Sequence, residues 1–169
     1  MIQIYTGNGK GKTTAAIGQA IRALGHNYKV LMIQFMKGDP NYGEIKTIRK
    51  LKNFKVIQSG LPTFVQKGNP TKEDIKLAEK GLELAKKAVN DKKYQMIILD
   101  EINVAIDYGL IKLNDVLALV KNCPQEIELV LTGRYAPQAL IDIADLVSEV
   151  KEIKHPYQKG LVSRKGIDY

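Results

Sequence analysis

Tryptophan is absent from the chain and cysteine occurs once, at Cys123. No internal disulfide and no cysteine-rich metal cluster can therefore form, and Cys123 reads as a small buried apolar residue. No apolar run approaches the length of a bilayer span, so a membrane-spanning helix is excluded. Met1 leads straight into Ile2 and Ile4 without the basic, hydrophobic and cleavage regions of a secretory leader. The expectation is a cytoplasmic protein with no membrane partner.

What is present is an ordinary globular composition. The 169 residues are 44% hydrophobic and 26% charged, which suits one compact domain over residues 1–169 with a true core. The formal charge of +8 rests mainly on lysines scattered along the chain among glutamates. Such mixing describes solvated helix faces better than a groove that tracks nucleic acid, so no nucleic-acid partner is expected. A small anionic ligand such as a nucleotide would suit the same positive field.

Short apolar runs alternate with longer segments of helical period, the pattern of a mostly parallel sheet covered by helices on both faces. Strands are expected at Ile2–Thr6, Val30–Phe35, 55–57, Met96–Asp100, 129–132 and 147–153, about six in all. A first helix is expected over 12–24, with Ala16, Ala20, Ala23 and Leu24 toward the sheet and Gly25 ending it. A second spans 71–90, where Thr71 and Asp74 have capping-box spacing and Ile75, Ala78, Leu82, Ala85 and Val89 form the apolar stripe. Shorter helices fit 114–121 and 137–144, the latter with Pro137 in its first turn. Turn residues concentrate in 37–49 and 60–70, loops that follow strands and so lie where open α/β sheets bind ligands.

The strongest chemical signal is Thr6-Gly7-Asn8-Gly9-Lys10-Gly11-Lys12-Thr13-Thr14, placed between a strand and a helix. Glycines let successive backbone N–H groups turn toward phosphate oxygens, and the helix N-terminus adds a favourable dipole. Lys12 offers a point charge to the terminal phosphates and Thr13 a hydroxyl to Mg²⁺, as in a P-loop. The loop departs from the usual pattern in having Thr6 where the first glycine stands, which hints at an unusual nucleotide geometry. A second signal, Met96-Ile97-Ile98-Leu99-Asp100-Glu101, delivers two carboxylates at the end of an apolar strand, where a P-loop metal requires one. The fold class expected is therefore a RecA-type P-loop α/β domain.

These motifs resemble those of the P-loop-type ATP:corrinoid adenosyltransferases. Gly7 through Ala16 is similar to the family's nucleotide motif, Gln34-Phe35-Met36-Lys37-Gly38 to its second-strand motif, Leu99-Asp100-Glu101 to its metal strand, and Leu131-Thr132-Gly133-Arg134 to its Thr-Gly-Arg turn. Val147-Ser148-Glu149, Lys154-His155, Gly160 and Gly166-Ile167-Asp168-Tyr169 follow the family's C-terminal order. The resemblance covers essentially the whole chain.

The resemblance implies a homodimeric transferase that moves the 5′-deoxyadenosyl group of ATP to the Co(I) of a corrinoid, in cobalamin biosynthesis, and releases triphosphate. ATP would bind reversed relative to most P-loop enzymes, which makes Thr6 intelligible. Lys12 and Glu101 would be the catalytic groups. Gly7, Asn8, Gly9, Lys10, Gly11, Lys12, Thr13 and Thr14 would form the nucleotide cradle, with Arg22 matching a basic position of the family. Mg²⁺ would be held by Thr13 and Glu101, with Asp100 behind them. The substrates are ATP and the corrinoid, and a flavoprotein is the implied reductant of the cobalt. Where the family has Gly-Phe-Thr-Trp pressing on the corrinoid, this chain reads Gly60-Leu61-Pro62-Thr63-Phe64, so Leu61 and Phe64 are the candidates, one residue out of register. Many relatives cover the corrinoid with a segment ahead of the first strand; with that strand expected from Ile2, the cover is expected either to come from elsewhere or to be absent.

Arg134 reads either as a charge-stabilising group or as the end of a strand, His155 as a site or surface residue, and His26 as surface. Two other functions use the same motifs. A nucleotide kinase or small ATPase would need an arginine-rich lid, whereas arginine is confined to Arg22, Arg49, Arg134 and Arg164. A RecA-type nucleic-acid-binding module would need a basic stripe with interleaved aromatics.

Overall fold

The computed structural model describes residues 1–168, the side chain of Lys159 excepted. Tyr169, the last residue of the C-terminal signature, lies outside the described residues. Six parallel strands, β1 (Ile2–Thr6), β2 (Val30–Phe35), β3 (Phe54–Ser59), β4 (Met96–Asp100), β5 (Glu128–Thr132) and β6 (Leu146–Glu149), form one sheet in the order β3-β2-β4-β5-β1-β6. The α-helices are α1 (Lys12–Gly25), α2 (Gly43–Ile48), α3 (Lys72–Asp91), α4 (Ile102–Asp107), α5 (Leu113–Lys121) and α6 (Gln138–Ile141), and a 3₁₀ turn covers Pro156–Lys159.

The central strands are largely apolar because both of their faces are covered, their buried polar residues Gln34, Asp100 and Thr132 falling at the C-terminal ends. Their period of two divides them: Leu31, Ile33, Phe35, Ile97, Leu99, Leu129 and Leu131 join α3, α4 and α5 in one core. Val30, Met32, Met96, Ile98 and Val130 join Ala16 and Ala20 of α1 and Ile48 of α2 in the other. Helix α3 buries Ala78, Leu82, Ala85 and Val89, with Ile75 half-buried, so its stripe is the one its spacing predicts. Its start is fixed by a complete capping box, with Asp74 N–H donating to Thr71 Oγ1 at 3.1 Å and Thr71 N–H to Asp74 Oδ2 at 2.9 Å.

Several boundaries differ from expectation for local reasons. Gly25 remains in α1, and the left-handed turn that follows falls on Asn27 (φ 62°). Strand β3 runs longer than 55–57, and α6 is shorter than 137–144, with Pro137 capping it from outside. The last strand stops at Glu149 rather than 153 because the next residue is drawn onto the glycine-rich loop, Gly9 N–H donating to the Val150 carbonyl at 2.7 Å. Helices α2 and α4 were not expected, and both end up beside the loops that frame the site.

Candidate active site

Strand order decides which residues meet at the sheet's C-terminal edge. β1 delivers the loop 7–11, and Gly11, at φ 122°, leads into α1. Gly7 and Gly9 are required by close approach: a Cβ on Gly7 would lie 2.5 Å from the Val150 carbonyl oxygen, and one on Gly9 would lie 2.7 Å from that of Lys151. The Thr6 hydroxyl accepts from Ala136 N–H at 3.2 Å, tying β1 to the turn after β5. Thus the residue in place of the usual first glycine braces the far wall of the cleft.

β4 lies beside β2, with Gln34 paired in register with Asp100. Asp100 is fully buried and each carboxylate oxygen is engaged. Oδ1 accepts from Thr132 Oγ1 at 2.7 Å and Thr13 Oγ1 at 2.8 Å; Oδ2 accepts from Lys37 Nζ at 2.8 Å and Gln34 Nε2 at 3.2 Å. Burial alone would push this carboxyl up, but the Lys37 ammonium and the hydroxyl donors outweigh it and hold it below the usual range. Burial likewise opposes the charge on Lys37, yet Asp100 and Glu101 together raise its pKa.

Glu101 turns away through a left-handed backbone (φ 62°) whose N–H donates to Thr132 Oγ1 at 3.0 Å. Its carboxylate accepts no hydrogen bond among the described residues. Burial and then the neighbouring Asp100 charge push its pKa up, against the pull of Lys37, Lys12 and Arg134. Lys12 is 8% exposed and donates to the Gly9 carbonyl at 2.7 Å; burial, with help from Arg134, lowers its pKa against Glu101 and Asp100. Lys10 points outward, its ammonium bonded to the Asp168 carboxylate and, at 3.0 Å, to the Ile167 carbonyl.

A cleft of about 590 Å³ runs over this edge. Of the sequence candidates, Gly9, Lys10, Gly11, Lys12, Thr13, Thr14, Phe64 and Glu101 line it. Leu61 lines an adjoining hollow of about 190 Å³ together with Phe64, Lys37 and Glu101. Gly7 is packed behind the loop, Asn8 is exposed, Asp100 lies beneath the floor, and Arg22 stands exposed in the last turn of α1, outside the cleft lining. Arg134 and His155, left open by the sequence, both line the cleft, whereas His26 is an exposed residue capping α1.

Lys37, Val104, Tyr108 and Tyr135 also line the cleft and were not singled out as site residues. Lys37 carried one signal, its place just beyond β2 in Gln34-Phe35-Met36-Lys37-Gly38. The two tyrosines carried none, since their position depends on where α4 and the turn after β5 are set down.

The oxygen donors suit Mg²⁺. Thr13 spends its proton on Asp100 and so keeps oxygen lone pairs available, and Glu101 presents beside the cradle a carboxylate that accepts no hydrogen bond among the described residues. Among the described residues no cluster of three His, Cys, Asp or Glu side chains is present, so a metal here would share its coordination with phosphate and water. No helix of the described residues is long and apolar enough to cross a membrane.

Comparison with known proteins bears on this site. Residues 1–169 match the family model described as ATP:corrinoid adenosyltransferase BtuR/CobO/CobP. A corrinoid adenosyltransferase of Sinorhizobium sp is 36% identical over 174 residues, covering 100% of this chain and 80% of the relative. One from Escherichia coli (strain K12) is 34% identical, covering 100% and 85%. Among solved structures, a KaiC-like protein from Pyrococcus horikoshii OT3 superposes with a TM-score of 0.58 at 14% identity, over 90% of this chain and 72% of that one, a likeness of fold alone. Matched by that family model along its whole length and by these relatives at 34–36% identity, this chain belongs to the ATP:corrinoid adenosyltransferase family.

Proposed function

We propose that the chain transfers the 5′-deoxyadenosyl group of ATP to the Co(I) of a corrinoid, giving adenosylcobalamin and free triphosphate, with residues 1–169 acting as one domain. The observation that carries this reading is the whole-chain family match, joined to a cradle in which Lys12, Glu101 and Arg134 face one cleft. Cobalt brings its own electron pair to C5′, and the electrons of the C5′–O bond leave with the triphosphate. The protein therefore needs no nucleophile or base of its own. Its work is alignment and charge neutralisation.

Each residue has a part in that work. The loop's N–H groups and Lys12 grip the departing polyanion, and Lys10 and Arg134 add positive charge at its margins. Thr13 and Glu101 would hold Mg²⁺, which neutralises part of the charge growing on the triphosphate. Asp100 keeps the Thr13 hydroxyl and the Lys37 ammonium in place. Leu61 and Phe64 offer apolar surface to the corrinoid. Phe64 is 98% exposed, a state that water disfavours by about 1.5–3 kcal/mol relative to full burial, so a ligand that covers it gains correspondingly. A homodimer, a flavoprotein reductant and a cytoplasmic location belong to the same reading.

The test is product analysis. Mixed with ATP, Mg²⁺ and chemically reduced cobalamin, the protein should generate the visible spectrum of adenosylcobalamin and an equal amount of triphosphate. Lys12→Ala should slow this by about a hundred- to a thousandfold, as for loss of one donor at a charged transition state. Release of ADP in place of triphosphate would sink the reading and restore the kinase alternative.

A further inference from the structure

The segment 60–68 carries Leu61 and Phe64 but has no regular structure of its own. It is held across the cleft by Lys67. The Lys67 Nζ lies 2.6 Å from Asp107 Oδ2 at the end of α4, 5.6 Å from the centroid of the Tyr108 ring and 5.2 Å from that of Tyr135. One ammonium thus touches three residues from two separate elements, and Tyr108, Tyr135 and Phe64 all line the same cleft. Each contact is exposed and weak singly, but the ammonium holds all three from one position.

Tyr135 adds an independent observation. It sits at φ 61°, a left-handed conformation that costs a bulky residue and that glycine would adopt freely. A tyrosine held there, half exposed, has its ring under the Lys67 ammonium and at the cleft wall. Stability of the turn alone does not call for that ring, whereas anchoring the opposite loop does.

We propose that Lys67, clasped by Asp107, Tyr108 and Tyr135, is a positioning residue for the corrinoid: it pins the 60–68 segment so that Phe64 stands over the cleft before the substrate arrives. The proposal rests on the adenosyl-transfer reading. A pinned loop has already lost the freedom that a loose one would lose on binding. The clasp therefore acts on corrinoid binding, not on ATP, whose cradle is on β1 and α1.

Two measurements test this. In steady-state adenosylation, Lys67→Met should raise the corrinoid KM about three- to tenfold with the KM for ATP and kcat little changed, and Lys67→Arg should restore it. The effect should largely vanish when Phe64 is already alanine, since Lys67 acts through that ring. Because the chain has no tryptophan, Phe64→Trp supplies a single indole whose fluorescence anisotropy reports on the loop without any substrate; adding Lys67→Met should lower it, and adding Lys67→Arg should not. An unchanged corrinoid KM, an equal rise in the ATP KM, a full effect in the Phe64→Ala background, or unchanged anisotropy each overturns the proposal. A wild-type chain that makes no adenosylcobalamin removes the functional reading and the corrinoid role together, while the anisotropy still decides whether Lys67 holds the loop.

Discussion

Asp100 and Glu101 are adjacent acidic residues in opposite circumstances. Asp100 has every lone-pair direction toward protein donors and a paired ammonium at 2.8 Å, so its charge is part of what the fold is built around. Glu101 is largely removed from water with no donor of its own among the described residues, and its ionised form is disfavoured. The two isosteric amides should therefore separate. Asp100→Asn turns an N–H₂ toward groups that are already donors and leaves Lys37 without the carboxylate it is directly paired with. That should cost on the order of 3 kcal/mol in urea unfolding, the low end for breaking a buried pair because Lys37 retains some contact with water. Glu101→Gln removes a charge that no donor among the described residues holds; its stability should hold or rise, while adenosylation at saturating ATP falls with the loss of the proposed metal ligand. Loss of stability in the glutamine variant and none in the asparagine variant would mean the two roles had been assigned the wrong way round.

At the scale of elements, α3 is the clearest case of sequence determining structure. It is 20 residues long, and its first turn is closed by a reciprocal Thr71–Asp74 pair. Replacing Thr71 with alanine should cost about 1 kcal/mol, measured as a lowered urea midpoint with unchanged slope. A midpoint that does not move would show that packing of Ala78, Leu82, Ala85 and Val89 fixes the helix start without the cap. Elements with a strong pattern were legible: α1 and α3 repeat their apolar spacing often enough to declare a face, and the central strands, buried on both faces, read as short continuous apolar runs. Helices α2 and α4 have six residues apiece, too short to repeat a stripe, and neither has a side-chain cap to announce it. The phosphate cradle could be read because its chemistry forces glycines, lysine and threonine into consecutive positions. The partnership of Lys37 with Asp100 could not, because it follows from β2 lying next to β4, a fact about topology. Tyr108, Tyr135 and Lys67 meet for a similar reason, each brought to the cleft by a different connection.

For the molecule as a whole, the sheet order sets a gradient of protection. β2, β4 and β5 occupy successive inner positions, and nearly all of their residues are buried between the two helical layers. β6 is an edge strand with all four residues exposed, and residues 161–168 beyond it meet the loop through the surface pair of Lys10 with Asp168, while Arg164 pairs with Asp168 within the segment. Surface ion pairs of this kind contribute little each, so the C-terminal segment should open far more readily than the core. Native-state amide exchange should accordingly find β2 and β4 slowest, exchanging only through global unfolding, β6 faster, and residues 161–168 fastest. The consequence reaches the active site, because Ser163, Ile167 and Asp168 line the nucleotide cleft and Lys10 is held by that same segment. A polyphosphate that draws Lys10 toward itself removes the ammonium from Asp168, so ATP should change exchange in 161–168 while leaving β2 and β4 at their original rates. Equal protection of the C-terminal segment and β4, with or without nucleotide, would mean that the segment is an integral layer of the fold and not a weakly held cover over the cradle.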